Sequence, residues 1–259
     1  MSTSKGRFAN KVAIVLGVSS ENSIGGAVAR RLIREGARVL IAARTAEKVY
    51  AVASKIGAVG EVCDITDEGQ VSKLADKAIE QYGQLDAAIN CAGQALMGYM
   101  ETTSEELLRQ AVDVHLIGPF FFIKHMARRM EKGGAIATMS SVTATLSFEN
   151  HAAYMAAKAG TDHAVRIAAL EYGRRNIRVN SVSPGFTDTP MTNALLSIPG
   201  IRDAFEKEIP LGRLSTIEDV AAATVWVCSD EAYMTGQNLQ INGGLTLRRL
   251  PTMKELGLA

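Results

Sequence analysis

Short β-type runs, most of them apolar on consecutive positions, alternate along this chain with longer stretches of helical pattern. The short runs are Val12 to Leu16, Arg38 to Ala43, Ala58 to Val62, Leu85 to Ile89, Ala135 to Met139, Ile177 to Val182 and Leu239 to Ile241. Strands covered on both faces read this way, because neither side of the pleat meets water, and the stretches between them are long enough for crossover helices. The pattern predicts an α/β chain with a doubly wound, parallel, seven-stranded sheet and helices on both faces. No repeat, low-complexity tract or linker-like stretch divides it.

Two helical stretches stand out. The first opens at Thr102 or Thr103, where Thr102-x-x-Glu105 and Thr103-x-x-Glu106 are alternative capping boxes, and runs to about Met130. The second follows Ala153 and is rich in small residues: Ala156, Ala157, Ala159, Gly160 and Ala164. Such a face suits close approach, either of the chain's own sheet or of another subunit.

Composition narrows the function classes. With 47% hydrophobic residues in 259, the chain can bury one large core, and with 28 basic against 27 acidic residues it carries no footprint for nucleic acid or an anionic membrane. A small-molecule substrate is expected. The first residues lack the apolar stretch of a secretion signal and no later run is long enough to span a bilayer, so a cytoplasmic protein is expected. Cys63, Cys91 and Cys228 are odd in number and widely spaced, which reads as reduced thiols rather than a disulfide framework or zinc site. His115, His125, His151 and His163 form no ligand pair with a nearby carboxylate cluster, so no metal is expected.

The first run is followed by Gly17-Val18-Ser19-Ser20-Glu21-Asn22-Ser23-Ile24-Gly25-Gly26-Ala27 and a helical pattern reaching Gly36. Glycines at a strand-to-helix turn let the backbone approach a pyrophosphate, whose charge the exposed amides and helix dipole stabilise. The second run ends Ala42-Ala43-Arg44, with no acidic residue to grip the ribose hydroxyls of NAD. A guanidinium there suits a 2′-phosphate, so NADP(H) is expected over NAD(H), which stays possible; Lys48 can share the role. Asp64, after the third run, meets the adenine edge or else caps the helix beginning near Asp67.

Tyr154 and Lys158 are four apart and share one face of a helix. A phenol with an ordinary pKa of about 10 is a poor base near neutrality and gains from a neighbouring cation. At about 5 Å and an effective dielectric of about 20, the attraction is roughly 3 kcal/mol, a little over two pKa units. Ser141, at the end of the fifth run, offers a hydroxyl to orient a substrate oxygen.

With these residues in hand, the chain resembles the short-chain dehydrogenase/reductase family over essentially its whole length. Tyr154-Met155-Ala156-Ala157-Lys158 fits the family's Tyr-x-x-x-Lys signature and Ser140-Ser141 its serine. Asn90-Cys91-Ala92-Gly93 resembles its Asn-Asn-Ala-Gly turn, and Pro184-Gly185 followed by Thr187 and Thr189 resembles its nicotinamide loop. The resemblance implies a Rossmann fold, one domain over residues 1–259, and a secondary alcohol interconverted with a ketone. It implies Tyr154 as general acid/base, Lys158 also holding the nicotinamide ribose, and a homotetramer. Gly17, Ser19, Ser20, Ser23, Ile24, Gly25, Arg44, Asp64, Ile65, Asn90, Ala92, Gly93, Tyr154, Lys158, Pro184, Gly185, Thr187 and Thr189 are the implied cofactor contacts.

Two departures modify that picture. The glycine-rich loop is lengthened, with Ser23 in place of the middle glycine, and Gly17-x5-Ser23-Ile24-Gly25 is similar to the loop of enoyl-acyl-carrier-protein reductases. That branch separates its tyrosine and lysine more widely, so carbonyl reduction stays ahead of enoyl reduction. His115 stands where the family commonly has a catalytic asparagine whose carbonyl holds a relay water. Pro119 has no amide hydrogen for that carbonyl, so the Gly118-Pro119 kink is expected to leave it free; alternatively His115 merely packs.

The resemblance implies that a segment at about 190–214 covers the substrate, and its apolar residues Met191, Leu195, Leu196, Ile198, Ile201 and Phe205, with Leu96, Met97, Tyr99, Phe148 and His151, suggest a bulky apolar substrate. In the tail, 245–259, Arg248, Arg249 and Met253 are expected to reach a neighbouring subunit or its pocket. Two alternatives remain: a 3-oxoacyl thioester reductase docking its carrier on Arg128, Arg129 and Lys132, and a non-catalytic dinucleotide-sensing binding protein.

Overall fold

The computed structural model describes residues 6–258. Seven strands, β1 (Val12–Leu16), β2 (Arg38–Ala43), β3 (Val59–Val62), β4 (Ala87–Asn90), β5 (Gly134–Met139), β6 (Ile177–Pro184) and β7 (Asn238–Ile241), form one sheet in the order β3-β2-β1-β4-β5-β6-β7. Every pairing is parallel. β6 runs two residues past the apolar run, because Ser183 and Pro184 still pair with Gln240 and Ile241 of β7.

Alternate strand residues feed two cores. Ala13 and Val15 of β1 face one with Val28 and Leu32 of α1 (Ile24–Arg34), Val49 and Val52 of α2 (Ala46–Ile56) and a late helix, while Val12, Ile14 and Leu16 face the other. The second core takes Val71 and Leu74 of α3 (Glu68–Tyr82). Full burial of a side chain such as Ile14 or Leu40 is worth about 1.5–3 kcal/mol, which explains the unbroken apolar runs.

The long helix expected from Thr102 or Thr103 to Met130 is three pieces: α4 (Glu105–Val112), a π turn (Asp113–Ile117) and α5 (Gly118–Arg129). Pro119 cannot donate to His115, and Gly118 N instead bonds five residues back to Asp113 O, which widens the turn. The cap is Ser104, whose hydroxyl accepts from Leu107 N at 3.1 Å; Thr103 is turned away, donating to Tyr99 O at 2.7 Å. The remaining helices are α6 (Ala152–Tyr172), α7 (Asn193–Leu196), α8 (Ile201–Glu208) and α9 (Ile217–Cys228). α9 packs beside α1, and α6 over β6.

Candidate active site

The strand order reverses beside β1, which pairs with β2 on one side and β4 on the other. The crevice at the carboxyl ends of the strands there is where such sheets take ligands. Gly17 follows β1, Asn90 ends β4, Ser141 follows β5 and Pro184 ends β6, so residues distant in sequence arrive at one rim.

Gly17 has φ +96°, and a Cβ on it would lie 2.3 Å from Ala92 N, so a side chain is excluded. The lengthened loop is tied to itself: Ser23 Oγ donates to Ser20 O at 2.7 Å, and Ser20 Oγ accepts from Asn22 N at 3.1 Å. Ser23 caps α1, accepting from Gly26 N at 3.1 Å, and no acidic residue occupies that helix's first turn, which suits an anion. A Cβ on Gly25 would lie 2.8 Å from Gly17 O, so the loop and helix touch backbone to backbone. These features fit a dinucleotide pyrophosphate.

Arg44 is exposed at the end of β2 and, with Thr66, Gln94 and Arg109, lines an open cavity of about 720 Å³. Lys48 is exposed one turn on. Asp64 does not cap α3. Its Oδ1 holds the turn through Thr66 N at 2.9 Å and Thr66 Oγ1 at 2.8 Å, while Asp67 accepts from Gln70 N at 3.0 Å and is the cap. The Ile65 side chain is buried against Gly118. Asn90 Oδ1 accepts from Ala92 N at 2.9 Å and so shapes the turn to Gly93, which faces the His115 ring. After β6, Thr187 is buried, bonded to Ser215 Oγ at 2.8 Å and Gly185 O at 3.0 Å, and Thr189 is linked to Thr192.

Tyr154 and Lys158 sit one turn apart on α6, the ammonium 5.7 Å from the phenol ring centre. Lys158 Nζ is buried and donates to Met139 O at 2.5 Å, and Ser141 Oγ accepts from Thr143 N and Oγ1. Burial pushes the Tyr154 phenol above its ordinary value, and its hydrogen bond with Ser141 offsets part of this. Burial likewise brings Lys158 from 10.5 down to about 8, against the pull of Asp162 and Cys91. The net direction is therefore upward, opposite to the lowering expected from Lys158, because desolvating a phenolate is the largest effect on this group. The phenol is protonated at neutral pH beside a lysine that is still mostly charged.

His115 stands edge-on to Tyr154, ring centres 4.8 Å apart and planes at 82°. Its Nε2 lies 2.9 Å from Gln94 O, and Nδ1 is buried without a partner. Burial, with the Lys158 charge behind it, brings the imidazole down to about 3, so it is neutral. Its carbonyl is not left free as expected: Pro119 gives it no amide, but the Thr161 hydroxyl reaches across from α6 and donates to it.

Among the residues expected to wall a substrate, Leu96 is buried with Ala111 and Ala153, against which Leu107 and Tyr154 pack. Phe148 links His151, at 5.1 Å, to Phe205, at 6.2 Å, and Phe205 stacks on Phe186 at 3.9 Å. Leu195 joins the same cluster, whereas Met97 and Met191 are exposed. The tail does not present Met253 to a neighbour. Leu250, Met253 and Leu256 are buried in this chain's own cluster with Phe148 and Phe205, Met253 N donates to Glu149, and Arg249 pairs with Glu208 and Glu255. Arg248 donates to Lys207 O. Apolar burial, invisible to a motif, folds the tail inward.

A short-chain type dehydrogenase/reductase of Mycobacterium ulcerans superposes with a TM-score of 0.91 at 30% identity, over 95% of this chain and 94% of that one. A family profile described as enoyl-(acyl carrier protein) reductase matches residues 17–246. The chain belongs to the short-chain dehydrogenase/reductase family. As such it is an oxidoreductase acting on CH–OH groups, in a family that works with NAD or NADP. Its relatives include the D-threitol dehydrogenase of Mycolicibacterium smegmatis, 34% identical over 93% of this chain and 95% of that protein. The 3β-hydroxysteroid dehydrogenase 1 of Eggerthella lenta is 36% identical over 92% and 94%. The 3-oxoacyl-[acyl-carrier-protein] reductase of Escherichia coli is 33% identical over 92% and 98%.

Among the described residues of this short-chain dehydrogenase/reductase, no helix is long and apolar enough to cross a membrane, and no three His, Cys, Asp or Glu side chains converge as a metal site would require. Cys63, Cys91 and Cys228 are free, their thiols pushed up to about 12 by burial. Sequence reasoning passed over Thr161 and Asp162, the polar pair just after Lys158 on a buried helix face. It also passed over Phe186. A carboxylate at i+4 from the lysine was the available signal.

Proposed function

We propose that this enzyme interconverts a secondary alcohol and a ketone on a bulky, apolar small molecule, with NADP(H) as its dinucleotide and Tyr154 as general acid/base. The reading rests on one observation: Ser141, Tyr154 and Lys158 share one rim of the sheet with an exposed Arg44 at the end of β2. Gly17, Ser19, Ser20, Ser23, Ile24 and Gly25 would hold the pyrophosphate, and Arg44 the 2′-phosphate. Asp64 and Ile65 would flank the adenine. Asn90, Ala92, Gly93, Lys158, Pro184, Gly185, Thr187 and Thr189 would hold the nicotinamide half. When bound, the nicotinamide supplies or accepts the hydride.

In reduction, Ser141 orients the ketone oxygen and Tyr154 gives that oxygen its phenolic proton, a transfer that matches a phenol protonated at neutral pH. Lys158 stabilises the phenolate left behind. Neutral His115 packs against the Tyr154 ring edge and holds its aim. Phe148, His151, Leu96 and Leu195, walled by Phe205 and the tail, favour a ring or branched carbon skeleton over a sugar-like chain. Exposed apolar residues on elements that pack together, Leu108 of α4, Ile117 of the π turn and Phe120 of α5 with Ile167 and Leu170 of α6, support an assembly of copies, read as a homotetramer.

The relatives also raise a 3-oxoacyl thioester reductase, but Arg129 of its supposed carrier dock is engaged by Asp76 at 2.5 Å. The test is a nicotinamide absorbance assay with NADPH and NADH against bulky ketones, β-keto thioesters and enoyl thioesters, with Tyr154→Phe as control. Ketone-dependent NADPH oxidation lost in the variant is the expected result. Turnover of thioesters alone overturns it, and NADPH binding without any turnover marks a dinucleotide-sensing protein.

A further inference from the structure

Asp162 lies four residues after Lys158 on the buried face of α6 and is only 8% exposed. Its Oδ2 is clamped, accepting from Ser140 Oγ at 2.8 Å and from Asn238 Nδ2 at 2.5 Å. Its Oδ1 is buried with no hydrogen-bond partner. Sheet register puts Asn238 of β7 beside Ser181 of β6, and Ser181 beside Thr138 of β5, and both hydroxyls are also buried without partners. A carboxylate in such a seam is costly unless a nearby cation answers it.

The cation is Lys158, one turn back on the same buried face of α6: its Nζ donates to Met139 O, the residue beside the Ser140 that holds Asp162, and Asp162 favours its charge more than any other group does. The other titratable groups around that ammonium come from three elements. The π turn contributes His115, brought down to about 3; the segment after β4 contributes Cys91, pushed up to about 12; α6 contributes Tyr154, pushed up as well. All three are neutral between pH 7 and 9, so among the described residues the one negative charge shaping the lysine is Asp162.

We propose that the clamped Asp162 carboxylate is a positioning residue for Lys158, the counter-charge that keeps the buried ammonium protonated and so sets the alkaline limit of the site. Asp162 touches neither substrate nor dinucleotide; it acts through the lysine, and Ser140 and Asn238 hold it at its post. The inference rests on the reading of Lys158 as part of the reaction centre.

The experiment titrates Lys158 by side-chain carbon NMR in the cofactor-free protein, with its signal assigned from Lys158→Arg. In Asp162→Asn, which is isosteric and still accepts from Ser140 and Asn238, the midpoint should fall by about one pH unit or more from about 8. The alkaline limb of the kcat/KM profile should fall with it. Asp162→Glu, which keeps the charge, should restore both. If the amide variant fails to fold, Asp162→Thr is titrated instead, with the same shift expected. An unmoved midpoint in the neutral variant overturns the counter-charge. Because the titration needs no substrate, that failure is distinct from an unaltered enzyme that turns over no ketone, which would overturn the functional reading.

Discussion

Lys158→Met should make the protein inactive as a ketone reductase and, at neutral pH, more stable. Bringing the buried ammonium from 10.5 to about 8 corresponds to about 3 kcal/mol, at about 1.4 kcal/mol per pH unit. That cost is present in full below pH 8, where both folded and unfolded chains carry the proton. Between pH 8 and 10.5 the unfolded chain binds a proton that the folded chain has released, so stability rises with pH and the cost fades. Methionine fills a similar volume without the charge, but leaves Met139 O without its donor, a loss of about 1–2 kcal/mol. The variant should therefore exceed its parent by about 1–2 kcal/mol at pH 7.5, and the gap should close by about 2 kcal/mol by pH 10. Urea unfolding of both proteins at these two pH values, at equal concentration, measures it, and every group common to the two cancels in the difference. A gap that stays constant or widens with pH would show that the lysine is not held against its charge, and the reasoning fails.

Arg44→Ala should lower kcat/KM with NADPH by about 10- to 100-fold and leave that with NADH within a few-fold, because a charge-assisted contact is worth about 1.5–3 kcal/mol; equal losses with both dinucleotides would remove Arg44 from the 2′-phosphate site. Ser23→Ala deletes the α1 cap and should cost about 1 kcal/mol in a urea melt, together with weaker dinucleotide binding by calorimetry. Phe205→Ala removes the stack on Phe186 and the contact with Phe148, and should raise KM for bulky ketones more than it lowers kcat. Light scattering should return four copies of the 27.7 kDa chain.

The sheet was legible because its inner strands, buried on both faces, write continuous apolar runs, as β1 and β4 do, whereas the edge strands β3 and β7 are only partly buried and write weaker ones. Tyr154 and Lys158 were legible because both lie within one turn of one helix. The break at Asp113 was half-legible: Pro119 signals a lost bond, but the π turn depends on Gly118 reaching back to Asp113. The direction of the Tyr154 shift was missed because a pairwise attraction says nothing of burial, which here is the larger effect. The Asp162 clamp joins residues 22 and 76 positions apart, and only the strand register brings Ser140 and Asn238 to the same carboxylate. The tail was misplaced for a related reason, since Leu250, Met253 and Leu256 carry no motif and their partners, Ile201 and Phe205 of α8 among them, lie far off in sequence.

His115 shows how a basic residue stands beside a buried lysine without repelling it. A charged imidazole edge-on to Tyr154 would compete with Lys158 for the phenolate and add a second buried cation. Burial and the lysine's own field instead hold the ring neutral to about pH 3, so over the whole working range it behaves as an uncharged polar group, as an amide would. Its Nε2 is anchored on Gln94 O and its carbonyl on the Thr161 hydroxyl of α6. The same burial that neutralises His115 tends to discharge Lys158. A site that keeps one of two neighbouring bases charged and the other neutral needs an asymmetry, and Asp162, one turn from the lysine, is where this chain supplies it.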